Sequence, residues 1–355
     1  MKLEDAIYSC IMAGSIGDAL GAVTENMNYS DIQKKYGRVD NFFEGQNEQT
    51  LLKAGAVTDD TTLKHVMCIA IIRKNGRIMP EDLAKIWIEE LNLDHVSNPD
   101  KISCMKMRVG VSPWETGRGN VTTCCPSMSV TPIGIINAGD PEQAYQDGYT
   151  IASMSGEGFN VEAAAIFSAG VASAFIPGAT WEDVIDTMTK YSRYTMLKCV
   201  DLTMNLAHKS SDVEQFRARY YETLADWWSR ATLDWDRNQY PNGTASESIP
   251  VAMALTYLCK GNMREALIES VNFGRDTDTI ANFVGSMLGP VTEIDSLDSQ
   301  WIAHVEKESE FLFKDYPAEG VTDNRSLSVK LADCLKKECD KLKAKRSLLE
   351  RIIAS

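Results

Sequence analysis

The stretch that most restricts how this chain can fold is Gly274-Arg275-Asp276-Thr277-Asp278-Thr279-Ile280, which runs into the small-residue segment Ala281 to Gly289. Two carboxylates two residues apart, each followed by a threonine, stand where a loop becomes a helix. Ile280, Val284, Met287 and Leu288 recur at helical spacing and predict a buried helix. Gly285 and Gly289 would admit a second backbone at close range. One Asp or Thr at such a place is explained by capping of orphan N–H groups. Two of each form a dense set of hard oxygen donors, the kind that Mg²⁺ or Ca²⁺ takes. Taken alone, this stretch leaves capping and metal binding both open.

A second cluster bears on that choice. Val57-Thr58-Asp59-Asp60-Thr61-Thr62 precedes Leu63, Val66, Met67, Ala70 and Ile71, again donors at the start of an apolar helix. Adjacent residues inside a regular helix point about 100° apart, but a loop-to-helix junction can turn both carboxylates to one side. If the two junctions meet, four carboxylates converge, and a divalent cation is the natural way to neutralise them. Two-metal centres, with ions about 3.5–4 Å apart, use bridging carboxylates of this kind. Asp and Thr donors without His or Cys select Mg²⁺, Mn²⁺ or Ca²⁺ over zinc.

The remaining sequence narrows the class. The 355 residues, 44% of them hydrophobic, suffice for one large domain or two ordinary ones. A net charge of −14 argues against nucleic acid as a direct partner, since phosphate contacts need a basic surface. The residues from Met1 to Cys10 do not read as a signal segment, and no apolar run reaches the length of a membrane span. Nine scattered cysteines suggest neither a disulfide framework nor a zinc site, so the expected location is the reducing cytoplasm, with no membrane partner. The four histidines lie in unrelated contexts and give little support to a His-based triad.

Helical patterns dominate the chain. An amphipathic first helix from Leu3 leads into the Gly-rich run Gly14 to Gly21, where three glycines in eight residues allow close backbone approach. Tyr29 to Ala56 reads as polar and irregular. Further helices fit Glu81–Leu91, Pro141–Ser155, Asn160–Phe175, Trp181–Tyr191 with Thr180 as cap, Val213–Trp228, Ser248–Cys259 and Met263–Val271. Val109 to Gly139, rich in Gly and Pro, reads as a long ordered loop of the kind that usually carries function. The expectation is an all-α fold: one domain over residues 1–330, followed by a charged helix over 331–355 that docks on it or contacts another copy. Trp227, Trp228, Trp235 and Tyr240 form an aromatic group that packs internally or stacks on a base. The oligomeric state is open.

Three motifs, in order, resemble the ADP-ribosylglycohydrolase family: Gly14-Ser15-Ile16-Gly17-Asp18-Ala19-Leu20-Gly21 through Glu25, then Thr58-Asp59-Asp60-Thr61, then Gly274 through Ala281. Glu247-Ser248-Ile249-Pro250 resembles the helix before the third motif, and the likeness covers about residues 3 to 290. It implies an all-helical fold with a binuclear Mg²⁺ cleft (Mn²⁺ as an alternative). It also implies hydrolysis of the N- or O-glycosidic bond of an ADP-ribosylated protein or an ADP-ribose derivative. By the motif match, Thr58, Asp59, Asp60, Asp276, Asp278 and Thr279 would be metal ligands, and Glu25 the catalytic general base. Asp18 would hold the Gly-rich turn through hydrogen bonds.

The loops that in the family line the distal ribose and phosphates depart from its pattern. After Gly119-Asn120 come extra residues, Ser129 stands where Arg is usual, and no histidine lies near Met154. Gly119, Asn120, Ser129 and Met154 are therefore the expected substrate-contacting positions of a rebuilt specificity end. Rival readings are a hydrolase of a smaller, nucleoside-like N-riboside, a non-catalytic ADP-ribose binder and a two-metal phosphohydrolase.

Overall fold

A computed structural model describes residues 1–47, 50–231 and 244–354. Its centre is a pair of helices, Leu3–Gly21 and Thr277–Leu288, that cross antiparallel with backbones in contact. A Cβ added at Gly17 would lie 2.2 Å from the Ala281 carbonyl oxygen, and one at Gly21 would lie 2.4 Å from Asp278 Cα. Reciprocally, a Cβ at Gly285 would lie 2.1 Å from the Ala13 carbonyl oxygen, and one at Gly289 would lie 2.5 Å from that of Ser9. Glycines four residues apart on each helix thus form one continuous seam. The first helix is buried on every side from Ala6 to Gly21, rather than on one amphipathic face. Its glycines lie inside the helix, so the Gly-rich run is not a turn.

Around this pair lie the Phe159–Ala174, Ala245–Leu258 and Asp59–Lys74 helices. The first of these is buried from Asn160 to Ala174 and packs Phe167 on Phe283, ring centroids 4.4 Å apart. Small residues again set the distances: a Cβ at Gly148 of the Pro141–Ala152 helix would collide with Ser168. The Trp181–Tyr191 helix starts at the expected cap, Thr180, which forms a capping box with Asp183. The fold is a single all-α domain, with one antiparallel pair of three-residue strands among the described residues, at Gly45–Asn47 and Thr50–Leu52.

Several segments differ from the pattern-based reading. Val109 to Gly139 is not a loop throughout, because its second half forms the short helices Cys125–Met128 and Thr131–Ile136. Pro126 and Pro132 occupy first-turn positions, where proline favours helix, so the punctuation read as loop marks helix starts. Tyr29–Tyr36 is a helix inside the stretch read as irregular. Asn98–Arg108 and Tyr194–His208 are helices that the periodicity did not single out.

The last helix runs from Asn324 to Ala354. Leu327, Leu331, Ala332 and Cys334 are buried, and it packs on the Leu3–Gly21, Asp59–Lys74 and Thr131–Ile136 helices, whereas residues 339–354 are exposed. Trp235 and Tyr240, and the side chains of Trp227 and Trp228, lie outside the described residues. No helix among the described residues is long and apolar enough to cross a membrane.

Candidate metal centre

The antiparallel crossing builds the site. It sets the C-terminal end of the Leu3–Gly21 helix beside the N-terminal mouth of the Thr277–Leu288 helix, so Glu25, just beyond the first, arrives next to Asp276 and Asp278. Thr277 Oγ1 donates to the Gly21 carbonyl at 3.0 Å and accepts from Thr24 Oγ1 at 3.0 Å. A short antiparallel bridge completes the join: Asn26 N donates to the Arg275 carbonyl at 2.7 Å, and Arg275 N to the Met27 carbonyl at 2.6 Å. Arg275 adopts φ +72° in this bridge and buries its guanidinium against the Glu247 carboxylate. Glu25, Asp276 and Asp278 each offer an oxygen within 4.8 Å of the others.

The second acidic mouth is tied to the same first helix. Asp18 is fully buried and accepts hydrogen bonds from Thr58 N and Thr61 N, each at 3.1 Å, and from Thr61 Oγ1. It therefore caps the Asp59–Lys74 helix in place of holding a Gly-rich turn. The two mouths meet at Asp60, whose Oδ2 accepts from Thr279 Oγ1 at 3.4 Å and whose Oδ1 accepts from Asn282 Nδ2 at 2.9 Å. Asp276 accepts from Ser248 Oγ at 2.6 Å, and Asp59 from Ser97 N at 2.8 Å. Asp278 Oδ1 is buried with no hydrogen-bond partner.

The electrostatics follow from this crowding. Burial, then the charges of Glu25, Asp60, Asp276 and Asp18, hold the Asp278 carboxyl well above the usual carboxylate range. Asp60 is raised well above it by burial and by Asp18, Asp59 and Asp276. Burial pushes half-buried Asp59 up to about 6 against the ionising pull of the Ser97 N–H, with Asp18 adding to the rise. Burial and mutual repulsion disfavour ionisation of this set, and a bound divalent cation relieves both. An orphaned buried carboxylate oxygen among hard donors fits a divalent ion such as Mg²⁺.

Two further residues belong here that the motifs did not single out. Lys64 and Asn282 are fully buried, and Lys64 Nζ donates to Asn282 Oδ1 at 2.8 Å. Each stands one helical turn beyond a motif carboxylate, Asp60 and Asp278, and that i+4 spacing was the available signal. Asp100 is a third, its carboxyl pushed up to about 7 by burial, with Oδ1 unpartnered. Its other neighbours include Ser97, whose Oγ also lies 3.0 Å from Cys125 Sγ.

The four expected substrate positions are arranged differently. Asn120 is bound on both ends, accepting from Lys106 Nζ at 2.9 Å and donating to Ser103 Oγ at 2.8 Å and the Ser155 carbonyl at 2.9 Å. Gly119 is exposed at φ +74°, its N–H on Glu157. Ser129 and Met154 are buried, and the Met154 carbonyl accepts from Thr116 Oγ1 at 2.8 Å.

Comparison with known proteins bears on the family and the fold. A similar Escherichia coli K12 protein, "Uncharacterized protein YegU", is 21% identical over 338 residues, covering 89% of this chain and 96% of its own. An "Uncharacterized protein" of Archaeoglobus fulgidus is 24% identical over 317 residues, covering 87% and 94%. A solved structure titled "ADP-ribosylglycohydrolase-related protein complex" has the same fold, with a TM-score of 0.67 at 15% identity over 92% of this chain and 97% of that one. The family model for ADP-ribosylglycohydrolase matches residues 1–340, and the chain belongs to that family.

Proposed function

We propose that the protein is a Mg²⁺-dependent hydrolase of the N- or O-glycosidic bond in an ADP-ribosylated substrate or an ADP-ribose derivative, with Mn²⁺ as an alternative ion. The observation that carries this reading is the convergence of Glu25, Asp276 and Asp278 with Asp60, one carboxylate oxygen among them buried without a partner. Thr58, Asp59, Asp60, Asp276, Asp278 and Thr279 would hold the ions, two of them by the count of carboxylates. When bound, they supply a template for vicinal ribose hydroxyls and Lewis-acid polarisation.

The chain's own groups do the rest. Glu25 is half-buried on a segment pinned by the bridge at Met27 and Arg275, which fixes its reach over the site. As general base it takes a proton from the attacking water as the water oxygen bonds to the anomeric carbon. The bond to the leaving nitrogen or oxygen breaks through an oxocarbenium-like transition state, and the proton passes to the leaving group. Asp18 and Ser248 act on the site through the helix mouths they bind, Asp18 through Thr58 and Ser248 through Asp276.

A second reading, a smaller N-riboside as substrate, is favoured by Ser129: this position is buried and carries no guanidinium for a diphosphate. Release of side chain or base from ADP-ribosyl-arginine and ADP-ribosyl-serine peptides and from simple ribosides, at equal enzyme and with Mg²⁺, tests both. Turnover of the peptides supports the first reading and turnover of ribosides alone the second. Turnover of neither leaves a binder without catalysis.

A further inference from the structure

A buried lysine stands behind the acidic site. Lys64 is 1% exposed and Asn282 0%. Lys64 Nζ donates to Asn282 Oδ1 at 2.8 Å, and Ser286 Oγ lies 3.4 Å from the same oxygen. The amide's other end is also committed: Nδ2 donates to Asp60 Oδ1 and to the Met128 carbonyl, both at 2.9 Å. An ammonium can only donate and a carbonyl only accept, so these partners leave one orientation for the Asn282 amide. Asp60 Oδ1 is then bound to an N–H, and Oδ2, beside Thr279 Oγ1, is the oxygen turned toward the other acidic mouth. The glycine seam makes room for this arrangement. A Cβ at Gly14 would lie 2.8 Å from Asn282 Oδ1 and 2.9 Å from Lys64 Nζ.

We propose that Lys64 is a positioning residue that acts through Asn282 to select which oxygen of Asp60 a divalent ion receives, an inference that rests on the metal reading given above. Groups behind a metal ligand fix its orientation, and losing one typically weakens metal binding about 10–100-fold. The alternative role has the opposite sign. A cation acting only by its charge repels the incoming ion, so removing it would tighten binding.

The test is calorimetric titration of the full chain with Mg²⁺ and with Mn²⁺, with near-UV circular dichroism and melting of the metal-free proteins as folding controls. Lys64→Met should weaken both ions about 10–100-fold, and Asn282→Ala by a similar factor. Lys64→Met in the Asn282→Ala background should add no further loss, a non-additivity that a merely structural role would not give. Lys64→Gln, which keeps an N–H donor without the charge, should recover part of the affinity. Unchanged or tighter binding by Lys64→Met, or losses that multiply in the double variant, would overturn the proposal. If Lys64→Met does not fold, Asn282→Ala decides: parental affinity in that variant refutes the relay. A parent protein that takes up neither ion refutes the metal reading itself, and this role with it.

Discussion

The floor of the site and the wall expected beside it, Val109 to Ser155, are built by different means. The floor uses side-chain carboxylates at two helix starts, held by a glycine seam in which a Cβ at Gly17 or Gly285 would stand 2.2 or 2.1 Å from a backbone carbonyl oxygen. The first part of the wall is tied by bonds to main-chain oxygens. Lys106 Nζ donates to the Thr116 and Arg118 carbonyls at 2.8 Å each, Thr116 Oγ1 to the Met154 carbonyl, and Gly117 N to the Ser153 carbonyl at 3.2 Å. Every residue has a carbonyl, so a wall fixed in this way can change its side chains while keeping its path. A floor fixed by four acidic side chains cannot. Under the proposed function, substrate range could therefore diverge in the wall while the end proposed to hold metal stays as it is.

The largest expected break in that contrast is Glu247→Ala. It removes the carboxylate facing the buried Arg275 guanidinium, next to the bridge that carries Glu25. Urea unfolding should show a loss of about 3–5 kcal/mol, with metal affinity falling in parallel.

Acid comes next. His65 is buried on the Asp59–Lys74 helix, edge-on to Phe313, and burial pushes its pKa down to about 4. The folded value lies below the unfolded one, so its contribution is present above about pH 6.5 and is lost as pH falls through about 4. Between those limits stability should drop by about 3 kcal/mol more in the parent than in His65→Leu, read from urea midpoints at each pH.

Gly17→Ala follows, at about 1–3 kcal/mol, because the added methyl meets a backbone carbonyl and the helix pair must separate. The smallest is Asn120→Ala, about 1 kcal/mol from its lost hydrogen bonds. Its sharper readout is an unchanged Mg²⁺ affinity. A large fall there would show that wall and floor are not independent.

The same difference decided how much could be read from the sequence. The Asp-Thr motifs announce the floor because their side chains are the chemistry, and the glycines of both helices announce close approach. The two glycine sets proved to face each other, which neither pattern states alone. The wall was less legible. Pro126 and Pro132 read as loop punctuation because proline's role at a helix start depends on its neighbours, and Ser129 gives no sign of what it faces. Lys64 and Asn282 do not stand out in the sequence, because a polar residue one turn past a motif is usually solvated. Their burial is a property of the crossing, where Gly14 admits them.

Two acidic helix starts, some two hundred residues apart in sequence, are proposed to form one cation site. Titration of Mg²⁺ into the parent and into Asp60→Asn and Asp278→Asn tests it most directly. Each variant should lose more than about 100-fold in affinity, beyond the usual cost of a supporting group. Metal-free Asp278→Asn should also melt above the metal-free parent, because a crowded buried carboxylate has been neutralised. Parental Mg²⁺ affinity in either variant would show that the two helix starts do not share an ion.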